Sequence, residues 1–378
     1  MPTPDFNTFT GISYNVQGLK QDQKLEELAL YIANNKIDFL CLQETWLCGS
    51  EPQDITTALT SKSPNPTNPN STILTKCTLF QHAQETQPGR GSGGVGIMLS
   101  PSGLKAWERA GSPDPILMPL IEGIGRAMGL ELHLLDKEEN TMKFFVISAY
   151  HPDSTRCEKN PELHDFFLES LLELYAKAPR DATIISGEDI NANLGHNMTR
   201  TTEDNNQQAS KITGPFGTFK LPNERGIKVG HILDIAELTS ASTWFQKKNG
   251  RYDTHYDHRH SQRRQVDHIM ISQKNRRSTI DCKRTKPITH SNHMPIFIKV
   301  RLIKKLSIRV NSRKKRNKRK RNRRRQHHRN RPRTKRHTPQ VNRAKLKCNQ
   351  MKLRFQQAVK ARIQQTQKDM DSPDSFVQ

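Results

Sequence analysis

Five stretches of the chain place a chemistry-bearing residue at the end of an apolar run. Gln265-Val-Asp-His-Ile-Met-Ile271 reads as a strand ending in the carboxylate of Asp267, and Ser291-Asn-His-Met-Pro-Ile296 as a loop that carries His293 into another strand. Ile12-Ser-Tyr-Asn-Val-Gln-Gly18 offers Asn15, Phe39-Leu-Cys-Leu-Gln-Glu44 ends on Glu44, and Ile184-Ile-Ser-Gly-Glu-Asp-Ile-Asn191 ends on Asp189 and Asn191. Asp189 and Asn191 flank Ile190, so on a strand both polar side chains point one way while Ile190 points into the core. Polar groups gathered at the ends of buried strands suit metal-assisted hydrolysis. That chemistry needs a carboxylate for a hard cation, a base for a water, and donors for charge building on the reacting oxygens.

The order and spacing of these pieces resemble the endonuclease/exonuclease/phosphatase superfamily, the DNase I-like fold. They look most like the abasic-endonuclease-type domains of LINE-type (non-LTR) retrotransposons. The matching stretches begin with Ser13-Tyr-Asn-Val-Gln-Gly18, Leu42-Gln-Glu-Thr-Trp46, Gly91-Ser-Gly-Gly-Val-Gly96 and Ser148-Ala-Tyr-His-Pro152. They continue with Gly187-Glu-Asp-Ile-Asn-Ala192, Asn223-Glu-Arg-Gly226, Thr243-Trp244, Val266-Asp-His-Ile269 and Ser291-Asn-His293. Together they cover residues 10 to 300, in the family's order.

The resemblance implies a divalent-metal-dependent phosphodiesterase. It gives Glu44 the cation, Mg²⁺ with Mn²⁺ as its substitute, and has Asn15 and Asn292 support that metal. Asp189 would orient or deprotonate the attacking water, while Asn191, Tyr150 and His293 donate to the phosphate. Asp267 would hold His293 protonated, since a neighbouring carboxylate favours the imidazolium. Two departures stand out. The family carries Asp where this chain has Asn292, which keeps the size and a carbonyl acceptor but removes a charge. Gly-Glu-Asp-Ile-Asn replaces Gly-Asp-aromatic-Asn, so Glu188 reads as an inserted acid; the spacing to Asn191 assigns the role to Asp189.

The elements that must position these residues interleave. Leu25, Leu28, Ala29 and Ile32 form one helical face over residues 24–33. Asn160-Pro161 reads as the N-cap and first residue of a second helix with the stripe Leu163, Phe166, Phe167, Leu171 and Leu174. Strand-length apolar runs fall at 94–99, 144–149, 183–186, 266–272 and 295–300. That alternation predicts an α/β domain over residues 1–303. The resemblance sharpens it to a four-layer α/β/β/α sandwich, two packed mixed sheets flanked by helices. Pro52–Asn70 and Thr199–Ser210 are too polar to pack and are expected to be surface loops.

Of the +24 net charge, sixteen units lie in residues 313–336, which hold no Asp or Glu; only eight remain for the rest of the chain. This run, with Arg313, Lys314, Lys315, Arg316, Arg323, Arg324 and Arg325, cannot bury apolar surface, so residues 304–338 are expected to be disordered. Its charge suits DNA, with RNA as the other polynucleotide, bound without sequence preference; it also suits a nuclear rather than a cytoplasmic address. Residues 339–378 regain helical spacing over 341–363, which fits a short coiled-coil stripe or a helix docked on the body; no partner is named by the pattern. The six cysteines form no C-x-x-C pair, as in a reducing compartment. No signal peptide and no run of about 20 apolar residues for a membrane span are visible. His255, His258, His260 and His268 with Asp253 and Asp257 fit a polar nucleic-acid-facing loop better than a zinc site, because no cysteine joins them. Gly89-Arg-Gly-Ser-Gly-Gly94 lacks the Lys-Ser/Thr of a P-loop and reads as a turn entering a strand.

Two other functions share these features. A phosphatase or exonuclease of the same superfamily would act on another phosphoester, and a decayed, nucleic-acid-binding relative would bind without cleaving.

Overall fold

The computed structural model describes residues 8–302 apart from residues 20, 63–69, 84–92, 200–210, 248–249 and 258–260. All of them belong to one of the two units into which the chain divides, residues 1–201 with 208–305. The expected basic segment and C-terminal helix, residues 304–378, lie outside the described residues, as does nearly all of Thr199–Ser210.

The first half runs β1 (Thr8–Asn15), α1 (Asp22–Asn34), β2 (Phe39–Gln43), β3 (Gln53–Lys62), β4 (Asn70–His82), β5 (Val95–Leu99) and α2 (Pro101–Arg109). Then come β6 (Ile116–Leu117), β7 (Ala127–Leu135), β8 (Thr141–Tyr150), α3 (Ser154–Lys159), α4 (Leu163–Ala176) and β9 (Thr183–Asp189). The chain continues through α5 (Glu224–Ile235), β10 (Leu238–Ser240), β11 (His255–Asp257), β12 (Gln262–Arg264), β13 (Asp267–Ser272), β14 (Thr279–Arg284) and β15 (Ile296–Arg301). One sheet has the order β14-β15-β1-β2-β5-β4-β3, the other β10-β13-β9-β8-β7-β6, and β11 and β12 form a separate hairpin.

Both sheets are mixed. β1 pairs parallel with β2 and β8 parallel with β9, while the other pairs are antiparallel. A parallel pair needs a crossover, and α1 and α4 supply the two. Three apolar clusters mark the contacts between four layers. Ile12, Tyr14, Leu40 and Leu42 pack against Leu28, Ala29 and Ile32 of α1. Phe9, Phe39, Val95 and Ile97 of the first sheet face Leu130, Phe144, Val146, Ile185 and Ile271 of the second. Phe145, Ile147 and Met270 pack against Phe167 and Leu171 of α4 and Val229 and Leu233 of α5. This is the expected α/β/β/α sandwich. Among the described residues no helix is long and apolar enough to cross a membrane.

Three local expectations need correction. Most of Pro52–Asn70 is not a loop: Gln53–Lys62 is an edge strand paired along its length with β4. Its prolines lie outside that run, whose Ile and Thr suit a strand, and Asp54 bonds Thr78 at 2.8 Å and Lys76 at 2.7 Å across the ladder. Asn160 closes α3 instead of capping α4, whose regular turns start at Leu163 after a tight turn over Pro161 and Glu162. Phe166 is 53% exposed, because α4 buries the face of Leu163, Phe167, Leu171 and Leu174 and leaves the 166 position on its flank.

Candidate active site

Both parallel pairs end on the same side. Asn15 and Gln43 close β1 and β2, Tyr150 and Asp189 close β8 and β9, and β13 enters at Asp267 running the other way. Carboxyl ends of parallel strands are where such sheets leave room for a ligand. Along the inner faces the contents change from aromatic to polar. Phe9 lies 4.9 Å from Phe39 and 4.8 Å from Phe144, ring centre to ring centre. Nearer the strand ends the Gln43 amide donates to Gly187 O at 3.0 Å, Ser148 Oγ at 3.2 Å and Ser13 Oγ at 3.3 Å, lacing the two sheets together. A Cβ at Gly187 would sit 2.7 Å from Cys41 Cβ and Ser13 Oγ, so glycine permits that approach.

Above this layer lies the cluster. Asn15 Nδ2 donates to Glu44 Oε1 at 2.7 Å and to Asp189 Oδ2 at 2.9 Å, one amide spanning a carboxylate from each sheet. Glu44 sits in a left-handed conformation, φ 52°. Flanking bonds hold its turn: Gly18 N to Glu44 O at 2.7 Å, Thr45 N to Gly94 O at 3.2 Å and Trp46 N to Gly93 O at 3.0 Å. Ligand atoms of Glu44, Asp189 and His293 lie within 4.8 Å of one another. Two converging carboxylates fit a hard divalent cation, and an amide held between them stands where a cation's charge would be welcome. Of the expected Asn15, Glu44 and Asn292, the first two meet at this grouping. Asp189 joins it from the opposite sheet, while Asn292 is half-buried and anchored by its backbone N–H to Gln17 Oε1 at 2.9 Å.

His293 Nδ1 donates to Asp267 Oδ2 at 2.9 Å and Oδ1 at 3.1 Å. Burial by itself would push this imidazole down. The Asp267 carboxylate beside it overrides burial, with Asp189 and Glu44 adding, and the pKa stands at about 9. Such a His is an imidazolium at neutral pH, a donor and not a ligand. Burial and then the Asp267 charge lift Asp189 to about 7, against the opposing pull of His293 and the Asn15 bond. Thr254 Oγ1 accepts from Val266 N at 3.1 Å and Asp267 N at 3.0 Å, and Thr254 O accepts from Met294 N at 2.6 Å; one residue fixes both halves of the Asp–His pair.

Asn191 is also left-handed, φ 46°, with its N–H on Asp189 Oδ1 at 3.1 Å and its Nδ2 on His151 O at 3.0 Å. Tyr150 is nearly buried; burial first, then Glu44 and Asp189, hold its phenol well above the usual range, so it stays a neutral donor. Tyr150, Asn191, Glu44, Asp189 and His293 share the lining of a cavity of about 310 Å³.

Glu188 occupies a regular strand position. It pairs with His268 on one side and Ala149 on the other in unbroken ladders. Its side chain turns to the outer face, where it accepts from Tyr175 Oη and from His151 Nε2 at 3.1 Å. The described histidines of the histidine-rich stretch do not converge on one point: His268 is on that outer face, bonded to Ser240 Oγ at 2.9 Å, and His255 packs against His293 with ring centres 4.5 Å apart and planes tilted by 42°. His258 and His260, like the tail residues Arg313, Lys314, Lys315, Arg316, Arg323, Arg324 and Arg325, lie outside the described residues.

Several residues were not singled out from the sequence. Arg126 is wholly buried beside Tyr150, 5.5 Å from the ring centre, and its Nε and Nη2 have no hydrogen-bond partner among the described residues. Arg225 and Arg264 line the cavity, beside His255 of the histidine-rich stretch that the sequence did single out. Arg225 lay in a quoted motif without a role, and an isolated Arg or His carries no sequence signal that places it at a cleft.

The model of the Endonuclease/Exonuclease/phosphatase family matches residues 12–282. Among solved structures, the AP endonuclease LMAP from Leishmania major is similar at 15% identity and a TM-score of 0.51, over 78% of this chain and 88% of that one. The endonuclease domain of TRAS1, a telomere-specific non-LTR retrotransposon, matches at 15% identity and a TM-score of 0.45, over 79% of this chain and 100% of the domain. The Xenopus laevis APE2 catalytic domain matches at 14% and 0.47, over 79% and 94%. No curated protein matches the chain. The family match over most of the sandwich, together with carboxylates and an Asp–His pair at its strand ends, makes the chain a member of the endonuclease/exonuclease/phosphatase superfamily.

Proposed function

We propose that the protein is a divalent-metal-dependent phosphodiesterase that nicks DNA, of the retrotransposon-endonuclease type. The observation that carries this reading is the facing of two groups across one cavity: the Glu44–Asn15–Asp189 cluster and the Asp267-held imidazolium of His293. Glu44 would hold Mg²⁺, or Mn²⁺, with Asn15 and Asn292 close by. Bound there, the cation supplies charge for the phosphate oxygens. Asp189 takes a proton from the attacking water, whose oxygen bonds to phosphorus as the ester P–O bond breaks. Its raised pKa places it near the pH at which a base works best. His293, Tyr150 and Asn191 donate to the phosphate oxygens as charge builds. The +24 net charge favours a polyanionic substrate and, with the basic run, a nuclear address.

Supercoiled plasmid incubated with Mg²⁺ or Mn²⁺ tests this. Nicking is expected, with loss in Glu44→Ala and His293→Ala. The second reading, a binder that has lost catalysis, is favoured by Asn292 alone, where a neutral amide replaces a carboxylate. It predicts no nicking by the parent and recovery in Asn292→Asp. If the parent is active, Asn292→Asp instead lowers the Mg²⁺ needed for half-maximal rate, by about tenfold for one added charge near the cation. Silence from parent and Asn292→Asp alike, with DNA still retained, would sink the nuclease reading.

A further inference from the structure

We propose that Arg225 and Arg264 form a second anion subsite in the same cavity, one that grips the phosphate next to the scissile one. The site would then take a nucleic-acid strand in preference to an isolated phosphoester. The proposal rests on the phosphodiesterase reading and says which substrate class it serves.

Charge is the first argument. Glu44 and Asp189 line the cavity, and Asp267 stands behind His293. A phosphodiester entering there meets like charge. Arg225 and Arg264 line the same cavity, and among the described residues neither makes an ion pair. Arg264 donates to Gln262 Oε1 at 3.0 Å and Arg225 to the carbonyl of Pro152, which leaves most of each guanidinium's five donors unspent; Arg225 Nε has no partner. A planar guanidinium matches the oxygens of a phosphate, and free arginines beside an acidic centre suit a polyanion that must be drawn in.

Position is the second. The N–H of Thr254 donates to Arg264 O at 2.8 Å, and Thr254 is the residue that clamps Asp267 and the His293 loop. Arg225 reaches the carbonyl of Pro152, two residues past Tyr150. The cap of its helix, Asn223 Oδ1, accepts from Asn193 N at 3.1 Å, two residues past Asn191. Each arginine is thus held at a set offset from catalytic side chains by ladder or cap bonds, the rigidity a subsite needs. Continuity is the third. A second cavity, about 530 Å³, shares Asn193, Asn223 and Arg264 with the first and adds Arg263 and Phe219. The cleft therefore continues past Arg264, as a path for a chain would, and a substrate with one phosphate would use only its catalytic end.

The test compares Arg264→Gln and Arg225→Gln with the parent on plasmid DNA and on bis(4-nitrophenyl) phosphate, a diester without a neighbouring phosphate. Binding of a fluorescent oligonucleotide in EDTA is followed in parallel across salt concentrations. The exposed Arg264 makes folding loss in that variant unexpected, and circular dichroism checks Arg225→Gln. For Arg264→Gln, KM on DNA should rise about tenfold and the slope of log affinity against log salt should flatten by about one. The loss on DNA should exceed that on the small diester by at least about fivefold. Equal losses on both substrates, or unchanged DNA kinetics and salt slope, would overturn the subsite while leaving the phosphodiesterase intact. If the parent cleaves neither substrate, the phosphodiesterase reading fails, and the oligonucleotide binding curves alone decide the subsite.

Discussion

Asp189 and Glu188 are neighbours on β9, equally buried at 1% and 0% exposure, and they live in opposite worlds. Glu188 faces the outer layer. Tyr175 of α4 and His151 both donate to it, and burial pushes His151 down, so a neutral ring supplies that bond. Asp189 faces the space between the sheets, where burial first and then the Asp267 and Glu44 charges lift its pKa to about 7. Burial of an acid therefore says little about function. Both accept two hydrogen bonds, so what separates them is charge: Glu188 meets donors of the outer layer, while Asp189 shares its pocket with like charges that a proton, a cation or substrate donors would relieve further. Two residues with left-handed backbones, Glu44 and Asn191, line the cavity that Asp189 faces.

Substitutions at the two acids should therefore diverge. The largest effect is expected from Asp189→Asn, with nicking down by about 10³-fold. Its stability should move the other way. Asp189's pKa is raised on folding, so its stabilising contribution is complete below the unfolded value near 3.8 and is lost as pH rises through about 7. In EDTA, Asp189→Asn should thus raise Tm at pH 8 by more than at pH 5; equal shifts at both would mean the carboxyl is not the stressed group. Next comes Asp267→Asn. Without its carboxylate, burial governs His293, so the alkaline limb of the pH–rate profile should fall from about 9 toward neutrality. The limb staying in place would show that something other than this pair keeps the imidazolium. The smallest catalytic effect belongs to Glu188→Gln. It misfits one of two donors and should cost about 1–3 kcal/mol in urea unfolding, with kcat within about threefold of the parent. A large kcat loss at full stability would erase the distinction between the two faces of β9.

Residue type and spacing were enough for much of this. Apolar runs of strand length, the 25–32 stripe of α1 and polar residues at run ends pointed to a layered α/β domain with Asn15, Glu44, Asp189, Asn191, Asp267 and His293 at one edge. These readings are local: alternation and run length are properties of a few consecutive residues, set by side-chain geometry on a strand or helix. Composition misled where it averaged over unlike pieces, as when the prolines around residues 52–69 hid the pairing-competent run of β3. At Glu188 the motif showed only an extra acid, and the two ladders add that it stands in a regular strand.

Other features had no local signature. The Asp267–His293 bond spans 26 residues and the Asn15–Asp189 bond 174, so their pKa consequences exist only once the sheets are stacked. Arg225 and Arg264 come to the cavity from a helix start and a hairpin strand, where a single Arg has no sequence signal that sets it apart from polar surface. The chain's own pattern thus determined the elements and the inventory of chemical groups. The tertiary structure alone decided which groups meet and how they perturb one another, because electrostatic coupling depends on distance and burial and not on separation along the chain.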